Sequence, residues 1–232
     1  MRWLLRRLLM NVEIKMSKIR DIFDIVIVYI VAIVGITIAG LLDIDFEGSF
    51  LVWGRISWTN IGIYYCILLI PVIIFLIRKE KISEYGFFKE KLERQIFIGL
   101  VMGVVLSFVI IMMLCLLGFE NKLTVEYLEL KTILYYLFVV AVVEELLFRG
   151  IIYFKIKKYC DSEAMAIVAS SLLFACSHYI KGQNGLILIA IIFSSLICLL
   201  RFKIKSCSTL SLIIAHGIGY SMFNVWILNG LA

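Results

Sequence analysis

Glu144, Glu145 and Arg149 place three charges inside an apolar run, VVEELLFRG at 142–150. The chain's two histidines, His178 and His216, also lie in or at the edge of apolar stretches. A charge at the centre of a spanning helix costs about 2.5–3.5 kcal/mol, so such residues turn towards a bundle interior or a wet cavity. Carboxylates and imidazoles gathered there suit acid–base chemistry. A carboxylate in a water-poor cavity holds its proton more tightly and becomes an effective general base. The same residue types also suit a divalent cation with one open position, or a proton relay.

Spacing separates the two glutamates. Glu145 and Arg149 are four apart on one helical stripe, with the acid N-terminal to the base, the favourable order for an ion pair. Glu144 lies about 100° round the axis and faces something else. Phe174 is four residues before His178; Tyr220 is four and Asn224 eight after His216. Gly217 and Gly219 flank His216, and Ser170, Ser171 and Ser177 precede His178, so their helices can approach closely. These features together predict Glu144, His178 and His216 around one cavity. Each feature alone has a plainer account. A membrane histidine often hydrogen-bonds a neighbouring helix, and an EE…R cluster can be a packing ion pair. Phe174 can be ordinary packing, and Tyr220 an interhelical hydrogen bond.

The elements that must hold these groups are membrane helices. The 232 residues are 63% hydrophobic and 17% charged, with one proline, Pro71, and the mean hydropathy is +1.05. A soluble domain carries far more polar surface. Seven spans are predicted, near 22–42, 58–77, 95–118, 132–154, 164–180, 185–200 and 207–229, each close to the length a bilayer core demands. Lys and Arg number 18 in the stretches 2–20, 78–94, 155–158 and 201–205. The alternate connections hold four: Arg55, Lys122, Lys131 and Lys181. The positive-inside rule then puts the N-terminus in the cytoplasm. Counting from the span ends places Glu144 near mid-membrane and His178 nearer the far face, so a tilted or shortened fifth span is expected to bring the two together. The expectation is an all-α, polytopic helical bundle. Residues 1–21 form a basic amphipathic segment, read as an interfacial helix, and 22–232 a single membrane domain.

The net charge of +6 sits between apolar runs, where it faces lipid head groups rather than nucleic acid. The six cysteines show no CxxC and predict neither disulfides nor a zinc–thiolate site. No internal repeat points to an inverted-repeat transporter.

EELLFR at 144–149 resembles the EExxxR motif of the CPBP family, the CAAX proteases and bacteriocin-processing intramembrane proteases, which includes type II CAAX prenyl endopeptidases. FACSH at 174–178 is similar to that family's FxxxH motif, and IIAHGIGY at 213–220 to its final HxxxN/D motif. The three stand in family order on separate spans, and the resemblance covers about residues 95–230. It implies an endopeptidase in which Glu144 activates water with His178, and His216 stabilises the oxyanion. Glu145, Arg149 and Phe174 would support the site. Tyr220 departs from the pattern, which has Asn or Asp there; Asn224, one turn on, is the substitute candidate.

The residues leave metal use open. HExxH is absent, Glu144, His178 and His216 would be the ligands of a zinc ion if one is used, and an obligatory metal is not expected. The implied partners are the lipid bilayer and a peptide or lipidated protein substrate. The implied place is a bacterial plasma membrane, or the endoplasmic reticulum in a eukaryote. Two rival readings remain: an inactive relative serving as a bacteriocin-immunity factor or scaffold, and an ion or proton translocator.

Overall fold

A computed structural model describes residues 2–42, 58–116, 130–180 and 187–230, and all regular structure among them is helical. Helix α1 is Arg2–Leu42, α2 is Trp58–Arg78, and α3 is Leu92–Leu116, with a 3-10 turn at Ile82–Tyr85 before α3. Helix α4 is the unbroken run 130–160; α5 is Glu163–Ile180, α6 is Ile187–Lys203 and α7 is Thr209–Gly230. The basic segment 1–21 and the first predicted span share one helix, since nothing at residues 21–22 breaks it. The connections 43–57, 117–129 and 181–186, with Arg55, Lys122 and Lys181, lie outside the described residues.

Among the described residues, three stretches are long and apolar enough to cross a bilayer: Ile61–Arg78, Leu92–Met113 and Glu163–Ile180, with mean hydropathies of 2.4, 2.9 and 1.4. The apolar stretch Thr209–Met222 within α7 is shorter. Large apolar side chains such as Leu76, Phe97, Phe108 and Leu188 point outwards, while Glu144, Glu145, Arg149, His178 and His216 are buried. That inverts the soluble pattern, in which ionised groups seek the surface.

Close helix approach is set by glycines. α3 packs chiefly on α7, through Gly99 and Gly103, four apart on one face. A Cβ at Gly99 would lie 2.7 Å from the Ser211 carbonyl oxygen, and one at Gly103 3.0 Å from that of Ala215. On the opposite side of α7, a Cβ at Gly217 would lie 2.7 Å from Leu137 Cα. Small residues at such contacts let backbones meet where the hydrophobic effect supplies no driving force between helices. α7 is thereby held between α3 and α4.

α4 is irregular where it matters. π-helical turns at Tyr136–Ala141 and Leu146–Ile152 bracket the α-helical Val142–Glu145. Within the second, the Tyr153 N–H bonds five residues back to Phe148. π turns are rare and frequent at functional sites. They also change which carbonyls are satisfied within the helix. Two carbonyls in these turns accept from other helices: Phe138 from the Tyr65 hydroxyl at 3.2 Å, and Arg149 from Arg201 Nη1 at 3.1 Å.

At the α4 C-terminal end, Lys155 Nζ lies 3.0 Å from Asp24, 3.3 Å from Asp21 and 3.0 Å from Glu80. Burial works against its charge, but bonds and charges from Asp24 and Glu80 outweigh that and raise its pKa above the ordinary lysine value. Nearby, Arg201 Nη2 donates to Thr209 Oγ1 at 3.0 Å, and that hydroxyl donates to the Tyr85 carbonyl at 2.6 Å. Gly86 completes this clamp with φ +75°, accepting from the Thr209 N–H at 3.0 Å. A Cβ there would fall 1.5 Å from Arg201 Nη2. Gly86→Ala is therefore expected to destabilise the fold by about 1–3 kcal/mol, through left-handed strain and displacement of Arg201. A thermal midpoint equal to that of wild type in detergent would contradict this.

Candidate active site

Glu145 is the hinge of the buried polar network. Its Oε1 accepts from Arg149 Nη1 at 2.9 Å, four residues on, and lies 2.6 Å from His216 Nδ1 on α7. All three side chains are fully buried. The arginine is always charged, and the hydrogen-bond pattern assigns the His216 proton to Nδ1, where it faces Glu145. The other ring nitrogen, Nε2, is thereby aimed at Glu144, 3.8 Å from its Oε2. That is too long for a direct hydrogen bond.

His178 is fixed by its own helix. Its Nδ1 lies 3.0 Å from the Phe174 carbonyl, one turn back on α5, and 3.4 Å from Ser177 Oγ. A proton on Nδ1 satisfies that carbonyl and leaves Nε2 as an acceptor. The Tyr220 hydroxyl stands 3.4 Å from that nitrogen. The Tyr220 ring is 5.1 Å from His216, so this side chain bridges the two imidazoles. Phe174 is a second bridge. The Arg149 guanidinium sits 4.2 Å over its ring, which is 4.5 Å from His178 and 6.2 Å from His216. It therefore orients both the cation and the imidazoles.

A cavity of about 30 Å³ opens beside this bridge, lined by Phe174, His178, Phe193, Gly219 and Tyr220 among others. It has room for one or two waters. Glu144 and His216 are not among its lining residues. His216 meets Glu144 and His178 meets Tyr220, and the bulk of Tyr220 occupies the space between the imidazoles. Asn224 is described only by its backbone in α7, so its side chain lies outside the described residues.

Two tyrosines near Glu144 escaped the motif reasoning. Tyr64 on α2 and Tyr136 on α4 both lie within electrostatic reach of Glu144, as Tyr220 does. Tyr136 stacks on Tyr220 at 5.5 Å between centroids. Tyr136 sits eight residues before Glu144, a spacing a regular helix makes suggestive, but the π turn between them blurs it. For Tyr64 no local signal exists.

Among the described residues, the acidic, histidine or cysteine donors gathered tightly enough for an ion are Asp21, Asp24 and Glu80. Their charges are met by Lys155, which reaches all three, by Arg78 at Asp24 and by Lys158 at Asp21. Glu144, His178 and His216 are not gathered in this way among the described residues, and no step below is routed through a metal.

Residues 127–222 match the family described as Rce1-like, type II CAAX prenyl endopeptidase. No curated protein and no solved structure matches the chain. The matched segment takes in α4 to α6 and most of α7, with every motif residue from Glu144 to Tyr220, and leaves out α1 to α3. The resemblance carried by the three motifs is thereby borne out: over residues 127–222 this chain is similar to the Rce1-like type II CAAX prenyl endopeptidases, a membrane protease family in keeping with the CPBP pattern.

Proposed function

We propose that the chain is an intramembrane endopeptidase in which Glu144 activates water against a peptide carbonyl. The observation that carries this reading is the Arg149–Glu145–His216 chain, which aims His216 Nε2 at Glu144. Glu144 takes a proton from water as the hydroxide oxygen bonds to the carbonyl carbon, with His178 assisting. The oxyanion so formed is stabilised by the Tyr220 hydroxyl, and by His216 when its Nε2 also carries a proton. The proton held on Glu144 passes to the leaving nitrogen as the C–N bond breaks. Seven membrane crossings with a cytoplasmic N-terminus and residence in a cell membrane complete the reading. The remaining four predicted spans fall on α1, α4, α6 and α7.

The test is cleavage by the purified full chain of a farnesylated peptide ending in a Cys-aliphatic-aliphatic-X sequence, beside an unprenylated leader peptide, with the new termini mapped by mass spectrometry. Cleavage of either that disappears in Glu144→Gln supports the reading. No cleavage of either, or the same termini from the variant, overturns it.

One observation favours a second reading, an inactive relative acting as an immunity factor or scaffold. Tyr220 fills the space between the imidazoles where the family pattern has Asn or Asp. The two readings part at Tyr220→Phe. If Tyr220 donates to the oxyanion, kcat falls by about 10²–10³-fold. If the protein is a scaffold, Tyr220→Phe and Glu144→Gln leave its cellular effect intact.

A further inference from the structure

Arg201 stands near the C-terminal end of α6, and its guanidinium serves two other helices at once. Nη2 donates to Thr209 Oγ1 at the start of α7, and Nη1 donates to the Arg149 carbonyl on α4 at 3.1 Å. The central carbon of the fork lies 4.5 Å over the Phe154 ring. The bond to α4 falls where that helix has lost one of its own. In a regular α-helix the Tyr153 N–H would bond four residues back, to the Arg149 carbonyl. In the π turn it bonds to Phe148 instead, and the Arg149 carbonyl is the one that Arg201 takes.

A buried carbonyl without a donor is costly, so without Arg201 the turn gains by closing back to the α-helical pattern. Closing it would change the register of α4. A π turn holds one extra residue, and everything beyond it is set back by about 100°. Two anchors bracket the second π turn. On one side Glu145 meets His216 at 2.6 Å; on the other Lys155 meets Asp24 and Glu80 at 3.0 Å. Both are met together in the π register. We infer that Arg201 is a positioning residue, which takes the released carbonyl and so keeps Glu144, Glu145 and Arg149 in phase with the Lys155 anchor. The inference rests on the hydrolytic reading above. Its rival is a clamp that ties α6 to α7 through Thr209 for stability alone.

The experiment uses the full chain carrying Arg201→Met or Thr209→Val, with the farnesylated peptide as probe and amide deuterium exchange as a readout free of substrate. Arg201→Met keeps an apolar stem against Phe154 and removes both bonds. It is expected to lower kcat by about 10–100-fold with KM unchanged, since a misplaced catalytic group costs up to about 10² in rate. Exchange should quicken across 146–156, where the Tyr153 N–H loses its fixed partner. Thr209→Val removes the bond to α7 and leaves the one to Arg149. It should lower the thermal midpoint and quicken exchange across 82–92 and 204–212, with wild-type kcat. Arg201→Lys keeps the charge but not the fork; it should show the changes of Arg201→Met in smaller degree, and replaces that variant if the latter does not fold. Wild-type exchange across 146–156 in the Arg201 variant overturns the inference, and so does quickened exchange there with wild-type kcat. A kcat loss in Thr209→Val equal to that in Arg201→Met favours the clamp and overturns it too. Wild-type cleavage by Glu144→Gln overturns instead the hydrolytic reading, while exchange across 146–156 still decides whether Arg201 holds the turn.

Discussion

Glu144→Gln is expected to lower kcat by about 10²–10⁴-fold, the usual worth of a positioned general base, and to leave the thermal midpoint close to that of wild type. The two halves of this expectation have separate causes. Gln has nearly the shape of Glu and still offers a carbonyl oxygen, so the 3%-exposed site is not emptied. What it cannot do is take a proton from water. The neighbouring network does not depend on Glu144 for its charge balance, because His216 is held on its Nδ1 side by Glu145, which Arg149 holds in turn. Removing the carboxylate charge from a buried position also relieves a desolvation cost, so any change in stability should be small or favourable. Initial rates on the farnesylated peptide and a melting curve in the same detergent check both halves. A variant that cleaves at the wild-type rate removes Glu144 from the mechanism. One that loses activity together with its fold would show that Glu144 holds the bundle instead.

The difference in legibility between Glu144 and Glu145 is physical. The Glu145–Arg149 pair is local, four residues apart on one helix, and helical periodicity alone predicts it; it appears at 2.9 Å. The order and helical character of the apolar segments were equally readable, because hydropathy reports on each segment by itself. The contact between Glu145 and His216 joins residues 71 apart, and depends on α7 closing on α4 through Gly217. A list of motifs names both residues without revealing that they touch. The π turns around Val142–Glu145 were hidden for a related reason. A widened turn survives when its carbonyls find partners elsewhere, here Tyr65 and Arg201 on distant helices, so no local pattern encodes it. Tyr220 was legible as a departure from the family pattern. Its consequence was not, since only the packed helices show its hydroxyl at His178 and its ring beside His216.

Arg149→Met is expected to be the most destabilising single change in the site, by about 3–5 kcal/mol, the range for breaking a buried ion pair from one side. The guanidinium is fully buried, bonded to Glu145 at 2.9 Å and packed 4.2 Å over Phe174. Methionine fills much of the volume but leaves the Glu145 charge facing His216 alone. The imidazole must then either carry a full positive charge or leave the carboxylate uncompensated, and both are costly in a dry interior. Arg149→Lys should fall between, because it keeps the charge but loses the planar fork and the stacking on Phe174. The decisive variant is the double substitution Glu145→Gln with Arg149→Met. If the loss comes from an orphaned charge, removing both partners restores much of the stability that the single change destroys. If it comes from lost packing on Phe174, the double variant is no more stable than Arg149→Met. Melting midpoints of the four proteins, placed on a double-mutant cycle, separate the two causes. The double variant should remain a poor enzyme even when it folds, since a neutral amide at 145 no longer fixes which nitrogen of His216 carries its proton, and so no longer aims Nε2 at Glu144.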